Sequence, residues 1–436
     1  MELARALRIK QSTSQTLAFV GAGGKTSALF QLAQELSPSA IVVATTHLGA
    51  WQTALADCHI VANNASALNN ISPRGVTLVT GAIENDRTKS INQITLNWIH
   101  ETARSKNAPL FVEADGARQK PLKAPAAHEP PIPEFADIVI VVAGLSALGK
   151  PLTDAHVHRA KIFSQLSGLP INQPITADAI ARVLAHPQGG LKNIPSNARR
   201  VALLNQTDTL TWQSIGGDMA RSLLNYFDAV LVGSMERKSF QTFERCAGII
   251  LAAGESKRFG ETKQLLDWNG KPFVRHVAET TLHAGLEPVL VVVGFHAAEI
   301  ESALNGLPVR IIHNPDYREG QATSIRAGIN ATPKNIGAAV FLLADQPQIP
   351  AEVIRALGEA HTQSLSPILA PLVLEERRAN PVLFDRVTFP DLMQLTGDVG
   401  GRAIFDKQRV EYIPWHDESL LFDVDAPEDY ARLKEL

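Results

Sequence analysis

Short apolar runs recur along the whole chain, and each is followed by a turn and a stretch with helical periodicity. Val, Ile and Leu dominate these runs, without the polar alternation of a half-exposed strand. The pattern predicts parallel strands connected by helices, which is an α/β fold. The predicted strands are 16–21, 40–45, 76–81, 110–113, 137–144, 200–205 and 229–233 in the first half, and 247–251, 288–294, 309–313, 338–344 and 368–372 in the second.

The predicted strands form two sets, which are separated by the polar and charged stretch 236–245. A chain of 436 residues has room for more than one domain, since domains average about 150 residues. We therefore expect two domains. Residues 1–240 would form an N-terminal α/β domain, and residues 246–436 a C-terminal Rossmann-like domain with a mostly parallel sheet.

Composition excludes several classes of protein. Lys and Arg number 41 against 44 Asp and Glu, a net charge of −3, which gives no field to attract nucleic acid or an anionic membrane. The two cysteines, Cys58 and Cys246, form no metal-binding or redox pair, as is typical of a reducing compartment. No apolar stretch approaches the roughly 20 residues that span a bilayer. We expect a cytoplasmic protein with no nucleic-acid or membrane partner.

The turn after the first predicted strand has the composition of a phosphate-binding loop. Glycines let backbone N–H groups approach a phosphate, a following helix N-terminus favours an anion, and Lys25 adds a positive charge. Phe19 stands where the usual pattern has its first glycine, whereas Thr26 is placed to ligate Mg²⁺ and Glu113 ends a strand as an acid for that metal would. The nucleotide-binding candidates are Gly21, Gly23, Gly24, Lys25 and Thr26.

Other polar residues of the first half are weaker candidates. Residues 205–208 read Asn-Gln-Thr-Asp after a strand and resemble a guanine-reading motif with Gln in place of Lys. His47, just after the second strand, could contact a ligand of the phosphate loop. His156 and His158 are expected on a helix that begins near Asp154, where histidines more often face solvent than bind a metal.

A second glycine-containing turn follows the first strand of the second half. Its glycine lets the backbone approach a triphosphate, and basic side chains supply the charge that a departing pyrophosphate needs. A lone turn of this kind is a weak signal, because many strand-to-helix turns contain glycine. The residues assigned to nucleotide binding and catalysis here are Leu251, Ala252, Ala253, Gly254, Ser256, Arg258 and Lys263.

Carboxylates elsewhere in the second half complete a magnesium site. Asp345 follows the apolar strand 338–344, and ligands of open α/β sheets bind at the carboxyl ends of strands. Mg²⁺ is usually held by one or two carboxylates plus substrate phosphates. Alternation along an extended segment puts Asp423 and Asp425 on one face, just before a terminal helix. Either could supply the second ligand, and the choice between them stays open.

Residues 247–436 resemble the molybdenum cofactor nucleotidyltransferases. The matching segments are Leu-Ala-Ala-Gly at 251–254 with Ser256, Arg-Phe-Gly at 258–260 and Lys263, Asp-Gln-Pro at 345–347, and Asp-Val-Asp-Ala-Pro-Glu-Asp at 423–429. Further segments at 314–328, 380–384 and 397–402 resemble the cytidylyltransferase branch.

This resemblance implies that the chain transfers CMP from CTP to molybdenum-loaded molybdopterin and releases pyrophosphate. Asp345 with Asp425 or Asp423 would hold Mg²⁺, and Ser324 would lie near the base. The residues facing the pterin would be Asn380, Pro381, Asp398 and Gly400. Ala253 could narrow the base pocket against a purine, which favours CTP. The alternatives are a guanylyltransferase of the same cofactor, a sugar-phosphate transferase, and a cofactor carrier or insertion chaperone switched by nucleotides.

The N-terminal half, from residue 14 to about 235, resembles accessory proteins of selenium-dependent molybdenum hydroxylases. The resemblance rests on the phosphate-loop turn together with segments 123–130 and 143–149. It implies a role in hydroxylase maturation, with a molybdenum hydroxylase as a possible acceptor of the cofactor, and it implies no particular reaction.

Overall fold

The computed structural model describes residues 1–10, 13–36, 39–62, 75–255, 259–374 and 377–434. It divides into two compact units, Met1–Phe243 and Glu244–Leu436. The α/β class with mostly parallel sheets, predicted from the apolar runs, is confirmed. In the described part of the chain, no helix is both long enough and apolar enough to cross a membrane.

The first unit is built on a nine-stranded sheet in the order β13-β12-β11-β9-β1-β7-β2-β4-β3, with β13 antiparallel to its neighbour and the other pairs parallel. The described strands of the unit are β1 Thr16–Gly21, β2 Ser39–Ala44, β3 Cys58–Val61, β4 Gly75–Thr80, β5 Ile83–Glu84, β6 Arg87–Thr88, β7 Leu110–Glu113, β8 Leu122–Lys123, β9 Ile138–Gly144, β10 Val157–His158, β11 Arg199–Asn205, β12 Ala229–Ser234 and β13 Ser239–Phe243. Strands β5 and β6 pair with each other outside the large sheet, as do β8 and β10. The helices are α1 Leu3–Ala6, α2 Lys25–Glu35, α3 Gln93–Ser105, α4 Ala160–Ser167, α5 Ala177–Ala185 and α6 Leu210–Leu223.

Strand β1 shows why the apolar runs are continuous. Leu17 and Phe19 pack into the core on one face of the sheet, while Ala18 and Val20 pack into the core on the other. Successive side chains of a strand point to opposite faces, so a strand covered on both sides must be apolar at every position. The continuous runs therefore mark the centre of the sheet.

Two segments of the first unit differ from the sequence-based expectation. Stretch 236–245 contains the edge strand β13, which pairs antiparallel with β12, instead of being only a boundary. His158 lies in the short strand β10, which pairs with β8, and not on a helix. The helix begins at Ala160, whose N–H donates to Asp154 Oδ1 at 3.0 Å. Short strands carry too few residues for periodicity to identify them.

The second unit has an eight-stranded sheet in the order β18-β17-β14-β19-β22-β20-β21, with β23 also paired to β20. Its described strands are β14 Arg245–Ala252, β15 Asp267–Trp268, β16 Lys271–Pro272, β17 Val289–Val293, β18 Arg310–His313, β19 Ile336–Leu343, β20 Ile368–Val373, β21 Arg377–Arg378, β22 Val382–Asp385 and β23 Val410–Trp415. The helices are α7 Phe273–His283, α8 Ala297–Ala303, α9 Gln321–Ala331, α10 Ala351–Ser364, α11 Phe389–Leu392 and α12 Pro427–Leu433.

Strand β22 interrupts the parallel pattern of the second sheet. It lies antiparallel between β19 and β20, and Phe341 of β19 pairs with Val382 of β22. The start of β22 therefore lies beside the end of β19, which brings segment 380–382 close to the residues that follow Leu343. This arrangement places segment 380–382 at the carboxyl edge of the central strands.

Candidate functional sites

The second unit has a cleft of about 600 Å³ at the carboxyl ends of β14 and β19. Most of the predicted nucleotide and metal residues line it, although they come from distant parts of the sequence. Those lining residues are Leu251, Ala253, Gly254, Lys263, Ser324 and Asp345. Asp398, which was expected to face the pterin, lines this cleft as well, whereas Asp423 and Asp425 are absent from its described lining. Ala252 is buried in the core beneath the turn. Ser256 and Arg258 lie outside the described residues.

The glycine turn and its lysine are held by neighbouring side chains. Gln264 Nε2 donates to the carbonyl of Gly254 at 3.1 Å, which fixes the turn. Lys263 is 7% exposed, and its Nζ lies 2.8 Å from Asp425 Oδ1. The Asp425 side chain is 71% exposed, so this ion pair lies at the cleft surface.

The buried carboxyl of Asp345 lies near both a lysine and two other carboxylates. Burial is the largest cause that raises the pKa of Asp345 above its ordinary value, and Asp423 and Asp425 raise it further, whereas Lys263 lowers it. Carboxylates that disfavour each other's charge attract a cation. Among the described residues no ready-made cluster of three metal-ligating side chains occurs. The donor set fits a Mg²⁺ ion that takes its remaining ligands from substrate phosphates and water.

A chain of side-chain hydrogen bonds leads from Asp423 to Arg402. Gln346 Nε2 donates to Asp423 Oδ1, Asn380 Nδ2 donates to Gln346 Oε1 at 3.1 Å, and Arg402 Nη2 donates to Asn380 Oδ1 at 3.1 Å. Since a carboxylate only accepts and a guanidinium only donates, both amides have one possible orientation. The sequence analysis gave no role to Gln346 or Arg402. Their positions beside predicted site residues were the available signal.

A second pocket of about 320 Å³ adjoins the cleft and shares Leu251, Gln321 and Leu343 with it. Its wall is mostly apolar, with Asn380 and Arg402 at a polar end. Gly400 also lines it, and Pro381 lies between lining residues 380 and 382. The remaining apolar lining comes from Ile325, Phe341, Val382, Phe384, Leu392 and Val399. An apolar pocket with few polar groups is typical of a small-molecule site.

The turn after β1 in the first unit has the backbone geometry of a tight anion-binding loop. Gly23 and Gly24 have φ of +83° and +113°, which side chains rarely adopt. A Cβ at Gly23 would lie 2.3 Å from the backbone N of Gly144. Helix α2 begins at Lys25, directly after the turn. The loop therefore needs its glycines, and it precedes a helix N-terminus as phosphate-binding loops do.

Lys25 is buried between two carboxylates. Its Nζ lies 2.9 Å from Asp115 Oδ1 and 3.5 Å from Glu113 Oε1, and the lysine side chain is 4% exposed. Burial lowers the pKa of Lys25, but the two carboxylates outweigh it and hold that pKa above the ordinary value. The Thr26 hydroxyl donates to Glu113 Oε2 at 2.8 Å. Thr26 and Glu113, the two groups expected to ligate a metal, thus lie in contact.

A cleft of about 640 Å³ opens beside this loop. Its described lining carries the cations Lys25, Arg87, Arg118 and Lys120 against the anions Asp86 and Glu113. Gly23, Gly24 and Thr26 also line it, and Gly21 lies behind the loop beside a smaller cavity. This local excess of positive charge, in a chain that is acidic overall, favours a polyanionic ligand.

The residues of the Asn-Gln-Thr-Asp segment have different roles. Asn205 Nδ2 donates to the carbonyl of Gly23 at 2.7 Å, which ties β11 to the loop. Gln206 lines the cleft, and its Oε1 accepts from the Ser146 hydroxyl at 2.6 Å. Asp208 accepts a hydrogen bond from the Ser234 hydroxyl. Only the glutamine of this segment faces the cleft.

The three candidate histidines lie in different surroundings. His47 lines the cleft, whereas His156 and His158 are absent from its described lining. Burial, and then the nearby Arg159 and Lys123, lower the pKa of His158 below its ordinary value.

A chain of ion pairs, which the sequence did not predict, extends from Asp115 to residues outside the loop. Lys123 Nζ lies 2.7 Å from Asp115 Oδ2 and 2.8 Å from Glu129 Oε2, and Glu129 accepts two hydrogen bonds from Arg159. Burial alone would raise the pKa of Glu129, but hydrogen bonds from Arg159 and Lys123 lower it to about 2. Lys123 and Glu129 lie in the proline-rich segment 121–133, where spacing carries no information on ion pairing.

Comparisons with known proteins identify both units. Residues 17–161 match the family described as YqeC protein, and residues 248–412 match the MobA-like NTP transferase domain. The uncharacterized protein YqeC of Escherichia coli K12 is 31% identical over 205 residues, which cover 45% of this chain and 77% of the relative.

Two relatives match the second unit. The nicotine blue oxidoreductase of Paenarthrobacter nicotinovorans is 33% identical over 197 residues, covering 43% of this chain and 95% of that protein. The molybdenum cofactor cytidylyltransferase of Escherichia coli K12 is 28% identical over 199 residues, which cover 43% of this chain and 94% of that protein.

Proposed function

The chain belongs to the YqeC family through its first unit and to the MobA-like NTP transferase family through its second, and from this we propose that the second unit transfers CMP from CTP to molybdenum-loaded molybdopterin. The second unit is a nucleotidyltransferase domain. The observation that carries the proposal is the pairing of a charged cleft, lined by Lys263 and Asp345, with an adjoining apolar pocket that ends in Asn380 and Arg402.

The chemistry requires positioning and charge neutralisation. An oxygen of the acceptor's phosphate attacks the α-phosphorus of CTP, the bond from that phosphorus to the bridging oxygen breaks, and pyrophosphate leaves. An ionised phosphate is already a nucleophile, so no side chain has to remove a proton. Lys263, together with Arg258 from the sequence motif, would neutralise the negative charge on the phosphates.

Asp345 with Asp425 or Asp423 would hold Mg²⁺, which neutralises charge on the phosphates. The backbone of the turn at Gly254 would receive the triphosphate, and Ser324 lies in the same cleft for the base. Asn380, Gly400 and Arg402 would contact the pterin acceptor in the adjoining pocket. Ala253 lines the cleft, and its methyl group supports the smaller cytosine base over guanine.

The test offers CTP, GTP and ATP in separate reactions with Mg²⁺ and molybdenum-loaded molybdopterin. Pyrophosphate release and the mass of the product are measured. Product with CTP alone is expected. Product with GTP would make the unit a guanylyltransferase, and absence of product with every nucleotide would favour a cofactor carrier.

The matched variants are Asp345→Asn and Asp406→Asn. Asp406 is exposed and absent from the described lining of both pockets, so only the first substitution is expected to stop pyrophosphate release. Equal activity of the two variants would contradict the metal assignment.

For the first unit we propose a nucleotide site that serves maturation of a molybdenum hydroxylase. Its support is the glycine loop, the buried Lys25 and the cationic cleft. Calorimetry with Mg–ATP and Mg–GTP is expected to show binding that Lys25→Ala weakens at least tenfold and Lys150→Ala, at an exposed position, leaves unchanged. If neither variant binds nucleotide more weakly than the wild type, the proposed site is wrong. CMP transfer by the second unit is expected to continue in Lys25→Ala.

A further inference from the structure

The phosphate loop of the first unit lies in the middle of its cleft. Strand β1 carries the loop, and the sheet order places β9 and β11 on one side of β1 and β7, β2 and β4 on the other. The cleft is lined from both sides, by Ser146 and Gln206 after β9 and β11, and by His47 and Trp51 after β2. Because these strands are parallel, their carboxyl ends meet at one edge of the sheet. The cleft therefore extends in two directions from the loop.

The side formed by β9 and β11 suits the base of the nucleotide. Asn205 ties the end of β11 to the loop through the Gly23 carbonyl. The next residue, Gln206, offers its amide to the cleft while it accepts from Ser146. A nucleotide whose phosphates lie on the loop can therefore place its base against these polar groups. The opposite arm of the cleft is then left open to a second ligand.

Backbone hydrogen bonds hold the opposite arm of the cleft in place. Segment 47–50 pairs with the β5–β6 hairpin, since the N–H of Ala50 donates to the carbonyl of Asp86 at 2.8 Å and the N–H of Thr88 donates to the carbonyl of Leu48 at 2.9 Å. His47 Nδ1–H donates to the Thr88 carbonyl at 2.8 Å, which fixes the ring and leaves its Nε2 as the second polar atom. The backbone ladder thus holds the side chains of this arm in place.

Three side chains give the arm its chemistry. Trp51 lines the cleft and is 65% exposed, so its indole offers a face on which a flat ring can stack. Arg87 supplies a positive charge beside the acidic Asp86. His47 Nε2 adds a polar atom for hydrogen bonding. An aromatic platform with a cation suits a flat heteroaromatic molecule that carries a phosphate or another anion.

We propose that this arm, formed by His47, Trp51 and Arg87, is a binding site for a second ligand, a flat heteroaromatic anion that lies end to end with the nucleotide. The inference rests on the nucleotide site proposed above, because the phosphate loop is the point from which the two arms diverge. It assigns to the first unit a two-ligand cleft with the phosphates of the nucleotide at its centre.

Dinucleoside polyphosphates test the two-arm arrangement, because one molecule carries two aromatic bases joined by a phosphate chain. Diadenosine and diguanosine pentaphosphate are compared with ATP, GTP and adenosine tetraphosphate by calorimetry on the full chain with Mg²⁺. We expect the better dinucleotide to bind at least tenfold more tightly than its mononucleotides. Lys25→Ala identifies the binding that belongs to this unit, since the second unit keeps its own cleft.

Trp51→Ala is expected to remove the advantage of the dinucleotide and leave mononucleotide affinity unchanged, while Trp51→Phe retains the advantage. Tyr226→Ala is the control, because Tyr226 is exposed and absent from the described lining of the cleft. Circular dichroism checks that each variant is folded.

The contrary outcomes are distinct. If no mononucleotide binding depends on Lys25, both the nucleotide site and the second arm are wrong. If mononucleotides bind but dinucleotides bind no better, only the second arm is wrong. If Trp51→Ala weakens mononucleotides as much as dinucleotides, Trp51 holds the base of the nucleotide itself, and the two-ligand proposal is overturned.

Discussion

Both units place a lysine beside carboxylates at the carboxyl edge of a sheet, but they bury the partners to different depths. The side chains of Lys25 and Asp115 are 4% and 2% exposed. The Lys263 side chain is similarly buried, with 9% of it exposed, yet the side chain of its partner Asp425 is 71% exposed. A desolvated pair is costly to break because it leaves an uncompensated charge, whereas a pair with one hydrated partner exchanges easily. The first unit thus holds its lysine in a buried ion pair, and the second pairs its lysine with a hydrated carboxylate that a ligand could replace.

The largest expected effect is on catalysis by the second unit. Lys263→Met should lower the rate of pyrophosphate release by about 100-fold or more, since on the proposed function it removes the cation that would neutralise the phosphates. Stability should change by less than about 1 kcal/mol because Asp425 stays hydrated. Steady-state kinetics and urea unfolding measure the two effects. If Lys263→Met lost much stability but released pyrophosphate at the normal rate, the contrast between Lys263 and Lys25 would be wrong.

Lys25→Met should show the opposite balance. The substitution leaves Glu113 and Asp115 buried with one fewer cation, which should lower the free energy of unfolding by about 3 kcal/mol. Urea unfolding of Lys25→Met is compared with that of Lys150→Met, at an exposed position. An unchanged midpoint for Lys25→Met would show that the buried pair contributes nothing to stability.

The ionic chain beyond Lys25 should make the first unit sensitive to acid. The pKa of Glu129 is lowered from 4.5 to about 2, so its contribution to stability is fully present above about pH 4.5 and is lost as the pH falls toward 2. Glu129→Gln should be less stable than the wild type near neutral pH, by on the order of 2 kcal/mol. Unfolding measured across this pH range should show the difference shrinking in acid. A constant difference would mean that Glu129 acts through packing and not through its charge.

The smallest effect concerns the acceptor pocket. A Cβ at Gly401 would lie 2.7 Å from Cζ of Phe384, so this ring, which also lines the pocket, would have to move. Gly401→Ala should raise the KM for the pterin acceptor several-fold and leave the KM for CTP unchanged. Gly358→Ala is the control, since nothing lies within 4 Å of its added methyl group. Equal effects on both substrates would place Gly401 outside the acceptor pocket.

The sequence predicted the central strands well because burial on both faces forces continuous apolar runs. Strand β1 was predicted at 16–21 and lies at Thr16–Gly21. Asp345 could be placed in a cleft because the carboxyl ends of parallel strands share one edge. Strand β22 was not predicted, and apolar residues alone could not have shown that it lies antiparallel to its neighbours. The ion pairs of Lys123 depend on contacts between Asp115 and the proline-rich segment, which no local pattern encodes.

The hydrogen-bonded chain from Asp423 through Gln346 and Asn380 to Arg402 has a thermodynamic consequence. Both amides are locked in orientation by their neighbours, so a change at one end alters the partners available at the other. An anion that drew Arg402 away from Asn380 would thereby change the affinity of Asp423 for a cation. Linkage requires that the cation change the affinity for the anion by the same factor. A cation at Asp423 and an anion at Arg402 would thus influence each other's binding without any contact between them.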